Sequence, residues 1–123
     1  MIQFTVSGPV QAHERPRFSR VGKGVRTHDA PKSRSYKELV KLVAWDNKPQ
    51  EPISGAIKLT VDVYLFPPKN LHTKPKQTLI ARGELRPTKK PDCDNLVKGI
   101  KDGCSKIIWN DDTQIVELII RKF

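Results

Sequence analysis

The sequence predicts a small α/β (α+β) domain, a single domain over residues 1–123, with two main helices. Three observations predict it. Three segments alternate apolar and polar residues with the period of a strand, two others place apolar residues at helical spacing, and Gly/Pro stretches separate them. A chain of 123 residues favours one domain and is long enough to bury one real core.

In chain order, "IQFTVSG" sets Ile2, Phe4 and Val6 against Gln3 and Thr5 and reads as a first strand, ended by Ser7-Gly8-Pro9. "HERPRFSRVGKGVRTHDAPKSRS" has no period and reads as a loop. "SYKELVKLVAWDN" reads as a helix, with Ser35 and Glu38 spaced as a capping box and Tyr36, Leu39, Val40 and Val43 as its apolar stripe. "AIKLTVDVYLF" is the clearest strand, with Ile57, Leu59, Val61, Val63 and Leu65 on one face. Residues 69–90 read either as a short helix at "TLIARGEL" or as a basic loop. A second helix follows Asp94, its N-cap, with Leu96, Ile100, Gly103 and Ile107 on one side and Val97 and Cys104 beside them. "TQIVELIIRKF" reads as a last strand, with Val116, Leu118 and Ile120 sharing a face.

The charge balance narrows the partner. Lys and Arg number 23 against 13 Asp and Glu, a formal net charge of +10. Such an excess suits a polyanion, whose phosphates it neutralises with release of counterions. Nucleic acid leads; no basic amphipathic helix points to a membrane surface. The bases cluster. Eight Lys/Arg lie between Glu14 and Lys37, and seven between Lys69 and Lys90. Two cysteines make neither a disulfide framework nor a four-ligand zinc set. With no apolar run long enough for a signal peptide or a membrane span, the expectation is a cytoplasmic protein.

Against this basic background, residues 89–114, "KKPDCDNLVKGIKDGCSKIIWNDDTQ", hold five aspartates. The residues around Pro91 should be extended, so that Asp92 and Asp94 point the same way where the chain enters the helix. Asp111 and Asp112 lie beyond the far end of that helix, and a tight turn there can carry them back towards the first pair. Lys98 is four residues from both Asp94 and Asp102 and can touch either. Two carboxylates about 4 Å apart repel by ~4 kcal/mol at an effective dielectric of about 20. A divalent ion removes that conflict, and all-oxygen ligation suits Mg²⁺, with Mn²⁺ as a substitute. Such an ion activates water and stabilises a leaving oxygen, and Lys98 can hold the phosphate. Taken singly, each piece has an ordinary explanation: Asp94 as a cap, Asp111-Asp112 as a turn, Asp102 with Lys98 as a surface pair. Their combination on one helix is more specific.

The string "KPDCDNLVKGIKDGCSKIIWNDDTQI" resembles the signature of the RusA family of Holliday junction resolvases, through Pro91, Asp92, Asp94, Asn95, Leu96, Lys98, Asp102, Asp111, Asp112, Gln114 and Ile115. The earlier "GPV…RPRFSR…YKELV" is similar to the N-terminal part of members from Gram-positive bacteria and their prophages. The resemblance implies an α/β fold with a mixed sheet and a Mg²⁺-dependent homodimer that cuts opposed strands of four-way junction DNA. It needs no small-molecule cofactor. Asp92, Asp94 and Asp112 would be metal-binding catalytic carboxylates and Lys98 the catalytic lysine, with Asp111, also placed in the metal set, and Asp102 as supporting acids. Gly103-Cys104 departs from the family's more Ala-Leu-like pair and costs helix propensity of about 1 kcal/mol at the glycine.

Arg15, Arg17, Arg20, Lys89 and Lys90 are the expected DNA contacts; Phe18, in the same loop as the arginines, reads first as a packing residue and only second as a wedge at a junction. Competing readings stay open. A non-catalytic basic DNA-binding module would bind without Mg²⁺ and survive loss of the aspartates. A P-D…(D/E)-x-K nuclease would use Glu117, but the position two residues on is Ile119. A nucleotide-sugar enzyme using D-x-D lacks a Gly-rich phosphate loop.

Overall fold

The computed structural model describes residues 1–12, 17–22, 24–28 and 31–123. Its elements are β1 (Arg17–Val21), β2 (Gly24–His28), α1 (Pro31–Asn47), β3 (Ile57–Val63), α2 (Lys74–Ala81), α3 (Cys93–Cys104) and β4 (Ile115–Lys122), with short 3₁₀ turns at Lys69–Leu71 and Asp112–Gln114. The α+β class is as expected, with α1 and α3 as the long helices. Both strand orientations occur, in two separate two-stranded sheets: β1 and β2 are antiparallel, β3 and β4 parallel. No helix among the described residues is long and apolar enough to cross a membrane.

The N-terminal half departs most from expectation. Residues 1–7 keep their alternation, and Ile2, Phe4 and Val6 pack on the core, but the segment joins neither sheet. Alternation dictates which side chains face inward; it does not supply a strand edge to pair with. The expected loop contains the β1–β2 hairpin, which turns at Gly22 with a φ of 60°. That left-handed value suits glycine. The hairpin escaped the pattern because its strands are polar, and Val25 is largely exposed. The helix starts at Pro31, four residues before the expected cap, so Ser35 lies inside it and no capping box forms there. Proline suits a first helical position, where its missing N–H is unneeded.

α1 buries Tyr36, Val40 and Ala44, every fourth residue, whereas Leu39 of the expected stripe faces solvent. This face packs on α3, which buries Leu96, Val97, Gly99, Gly103 and Cys104. Gly103 makes the approach possible. A Cβ there would lie 2.5 Å from Val40 Cγ1 and 2.7 Å from Val40 Cβ, closer than atoms can pack. The propensity cost at Gly103 is thus offset by helix–helix contact. Ile57, Ile108 and Trp109 complete the core with Tyr36, Val40, Ala44 and Cys104.

β3 lies beside β4 with Asp62 opposite Arg121 and Lys58 opposite Glu117. Arg121 donates to both carboxylate oxygens of Asp62 at 2.7 and 2.9 Å, and Lys58 lies 3.7 Å from Glu117. These pairs support the parallel register from the outer side. On β4 the face bearing Val116 and Leu118 is exposed, while Ile115 packs against the core. Apolar residues on both faces of this strand left the direction open to a period-two reading. Residues 74–81 of the ambiguous basic stretch form α2, with Pro75 in its first turn.

Candidate active site

The D-x-D motif sits at a helix start, not on an extended strand. Asp92 is the N-cap of α3, with φ −73° and ψ 151°, and the helix begins at Cys93. Asp94 therefore lies in the first turn and is not the cap. The Asp92 carboxylate makes no capping hydrogen bond, so it stays available to another partner. Both charges stand at the positive end of the helix dipole, which tolerates them. The segment before them is tied down from a distance: Lys122 Nζ donates to the carbonyls of Lys89 and Pro91, each at 3.0 Å.

Asp94, Lys98 and Asp102 follow one another at spacings of four, and Lys101 lies three beyond Lys98, so the four share one side of α3. Together with Val97, Asp112 and Leu118 they line a cleft of about 380 Å³ between α3 and β4. The helix rise puts Asp94 and Asp102 about 12 Å apart along the axis, so the cleft is a trough with acids at its ends and lysines between them. Asp92 is not among its lining residues. Among the described residues, no three carboxylate, imidazole or thiolate groups come close enough to form a metal cage.

Each acid has its own surroundings. Asp102 pairs with Lys37 of α1 at 3.4 Å, so its partner is not the expected Lys98. Lys98, exposed, forms no ion pair with Asp94 or Asp102 among the described residues. Asp112, half-buried, accepts a hydrogen bond of 2.7 Å from the indole N–H of buried Trp109. Asp111 caps the 3₁₀ turn: its Oδ1 accepts from the Thr113 N–H at 2.9 Å, and that bond holds its carboxyl below the usual range. Gln114 closes the capping box. Its Oε1 accepts from the N–H groups of Asn110 and Asp111, and its Nε2 donates to the carbonyls of Ile53 and Gly55. The turn that carries Asp112 is therefore fixed on both sides. Cys104, beneath it, is buried, and burial together with the nearby Asp112 charge pushes its thiol up to about 12.

Of the expected DNA contacts, Arg20, Lys89 and Lys90 are exposed. Arg15 and the side chains of Arg17 and Phe18 lie outside the described residues. Lys101, Trp109 and Lys122 were not anticipated. Lys101 was legible as the residue three beyond Lys98 on the same face; the contacts of Trp109 and Lys122 are made only in the fold. A second groove, about 480 Å³, runs along α2 and is lined by Lys74, Gln77, Thr78, Ala81 and Arg82.

A family model described as "Endodeoxyribonuclease RusA" matches residues 7–123. The chain is 42% identical over 123 residues to the Bacillus subtilis (strain 168) protein named "Uncharacterized protein YqaN", covering 99% of this chain and 87% of that protein. No solved structure matches.

Proposed function

This chain belongs to the RusA family of endodeoxyribonucleases, and from that premise we propose that it is a Mg²⁺-dependent resolvase of four-way DNA junctions that works as a homodimer. Family membership makes it an enzyme that cuts DNA. The observation that carries the finer reading is the trough that Asp94, Asp102 and Asp112 line together with Lys98 and Lys101.

The donor chemistry suits the metal. The acids offer oxygen ligands at an open cleft, and Mg²⁺ takes one or two carboxylates while keeping waters and substrate phosphate as its other ligands. Asp94 and Asp112, which line the cleft together, are the residues that would hold it there; Asp92, at the helix start outside the cleft, would have to turn in to join them, and Asp111 supports them through the turn it caps. When bound, such an ion supplies an activated water and charge neutralisation at the leaving oxygen. The chain's own residues do the rest. Lys98 and Lys101, lining the same trough, attract the scissile phosphate and offset the charge that builds up on it. Trp109 holds the Asp112 carboxylate in one orientation. Lys89 and Lys90, immediately before the D-x-D, hold flanking phosphates. A two-fold dimer would present identical sites to opposed strands of a two-fold substrate.

The test is cleavage of labelled four-way and linear duplex DNA with and without Mg²⁺. The expected result is paired cuts in the junction that require the metal. Absence of junction cleavage with Mg²⁺ or Mn²⁺ would overturn the resolvase reading, and metal-independent cutting would overturn the metal assignment.

A further inference from the structure

Two large aromatic side chains at the end of β3 are left uncovered: Tyr64 is 72% and Phe66 89% exposed. They stand in an aromatic group. The Tyr64 ring stacks on Phe123 with centroids 5.2 Å apart and planes 18° from parallel, and Phe66 meets the edge of His72 at 5.4 Å. Cations flank the group on its Phe123 side. The Arg86 guanidinium lies 4.4 Å from the Phe123 centroid and that of Arg121 5.9 Å. The backbone beneath is pinned, because Phe123 donates to Val63 O at 2.8 Å and receives from the Leu65 N–H at 2.9 Å. Gly83 backs the group: a Cβ there would stand 3.3 Å from the Phe123 ring.

We propose that Tyr64 and Phe66 form a platform on which unpaired bases of branched DNA stack, and that this platform gives the enzyme its preference for branched over linear DNA. An exposed aromatic pair on a pinned support, flanked by arginines, has the composition of a single-strand stacking surface, where π-faces take bases and cations take the backbone. Charge selects the occupant. The chain carries +10, and Asp62, two residues before Tyr64, is already paired with Arg121. DNA brings phosphates to the arginines and ring faces to the aromatic side chains together. Position links the platform to the site: Lys122, next to Phe123 in the chain, donates to Pro91 O one residue before Asp92. Intact linear duplex keeps its bases stacked inside; a branch point interrupts that stacking, so the pairs there expose ring faces and open more readily to supply bases. The inference rests on the DNA-cutting reading above.

The test is binding without divalent metal, so that it stands apart from cleavage. Fluorescence anisotropy at fixed salt would compare a four-way junction, a single-stranded oligonucleotide and a linear duplex, using the full chain, Tyr64→Ala, Phe66→Ala and Phe66→Trp. Each alanine variant should lose about tenfold in affinity for the junction and the single strand, the scale of one base–aromatic stack. Affinity for linear duplex should change less than about twofold, and Phe66→Trp should bind like the parent. Equal losses on all three DNAs, or no loss on any, would overturn the platform. So would conversion of a dimer to a monomer by Phe66→Ala without DNA, seen by sedimentation, since the patch would then be covered by a second copy. A parent chain that binds junctions through this platform but cuts none would sink the resolvase reading and leave the platform standing.

Discussion

The ammonium of Lys122 lies 3.0 Å from the carbonyl oxygen of Pro91, tying the end of β4 to the residue before Asp92. With its second bond to Lys89 O, the same ammonium bridges two carbonyls of the segment that delivers the D-x-D to the helix start. The separation of 31 residues makes this a tertiary clamp on the segment before Asp92.

Removing that clamp should loosen the presentation of Asp92 without abolishing DNA attraction. Lys122→Met should lower kcat for junction cleavage by about tenfold, since small misplacements of reacting groups are costly. KM should rise less, and more Mg²⁺ should be needed for half-maximal rate. Lys122→Arg, which keeps a donor, should recover part of the loss. An equal fall in binding and turnover would show that Lys122 acts as a simple phosphate contact.

The two buried glycines of α3 should respond to alanine in opposite directions. At Gly99 the new methyl would meet Tyr36 at 3.8 Å, an ordinary contact, and the gain in helix propensity should raise stability by up to about 1 kcal/mol. At Gly103 the methyl would collide with Val40, and the overpacked α1–α3 contact should cost about 1–3 kcal/mol. Chemical denaturation of both variants checks the sign of each. A stabilised Gly103→Ala would mean that α1 and α3 do not pack this closely.

Thiol chemistry should separate the two cysteines. Cys93 is half-buried at the start of α3, whereas Cys104 is 2% exposed with its thiol pushed up to about 12. Alkylation of the native protein near pH 8 should modify Cys93, and Cys104 should react when the chain is unfolded. Linkage has a definite sign here. A thiol raised in the folded state leaves its stability contribution intact below its ordinary value of about 8.5 and loses it as pH climbs through the alkaline range towards 12. Cys104→Ser should flatten that alkaline loss. Equal labelling of both thiols in the native protein would contradict the burial.

How much of this was legible in the sequence depended on whether a contact was local. β3 was readable because Ile57 to Val63 alternate against polar neighbours, and α3 because its apolar residues keep to one side. The hairpin was not, since its strands are rich in polar residues without a period and its turn rests on the conformational freedom of Gly22. Asp92, Asp94, Lys98 and Asp112 stood out as candidates through their spacing taken with the resemblance of the string around them to the family signature. Their settings were not legible. Lys37 reaches Asp102 from another helix, Trp109 reaches Asp112 across a turn, and Lys122 reaches Pro91 across the fold. The expected side-by-side display of Asp92 and Asp94 assumed an extended chain, but the helix takes over at Cys93 and turns the two carboxylates apart.

The aspartates of the D-D pair should separate by role despite being neighbours. Asp112 faces the trough and is steered by Trp109, whereas Asp111 is turned to the Thr113 N–H. Asp112→Asn keeps the shape and can still accept from the indole, so junction binding should persist or improve as a negative charge near phosphate is lost, while Mg²⁺-dependent cleavage falls at least about a hundredfold. Asp92→Asn should behave the same way, since its carboxylate has no structural bond to lose. Asp111→Asn retains an acceptor for the cap and should keep most of the activity, whereas Asp111→Ala should cost stability first. That cost should shrink at low pH. The Asp111 carboxyl is held below its ordinary value in the folded chain, so its contribution is present above that value and disappears as the pH falls through the lowered one. Thermal unfolding of Asp111→Ala and the parent at pH 7 and below pH 3 measures the convergence. Cleavage rates that fall equally for Asp111→Asn and Asp112→Asn would place both carboxylates in the metal set and refute the division of roles.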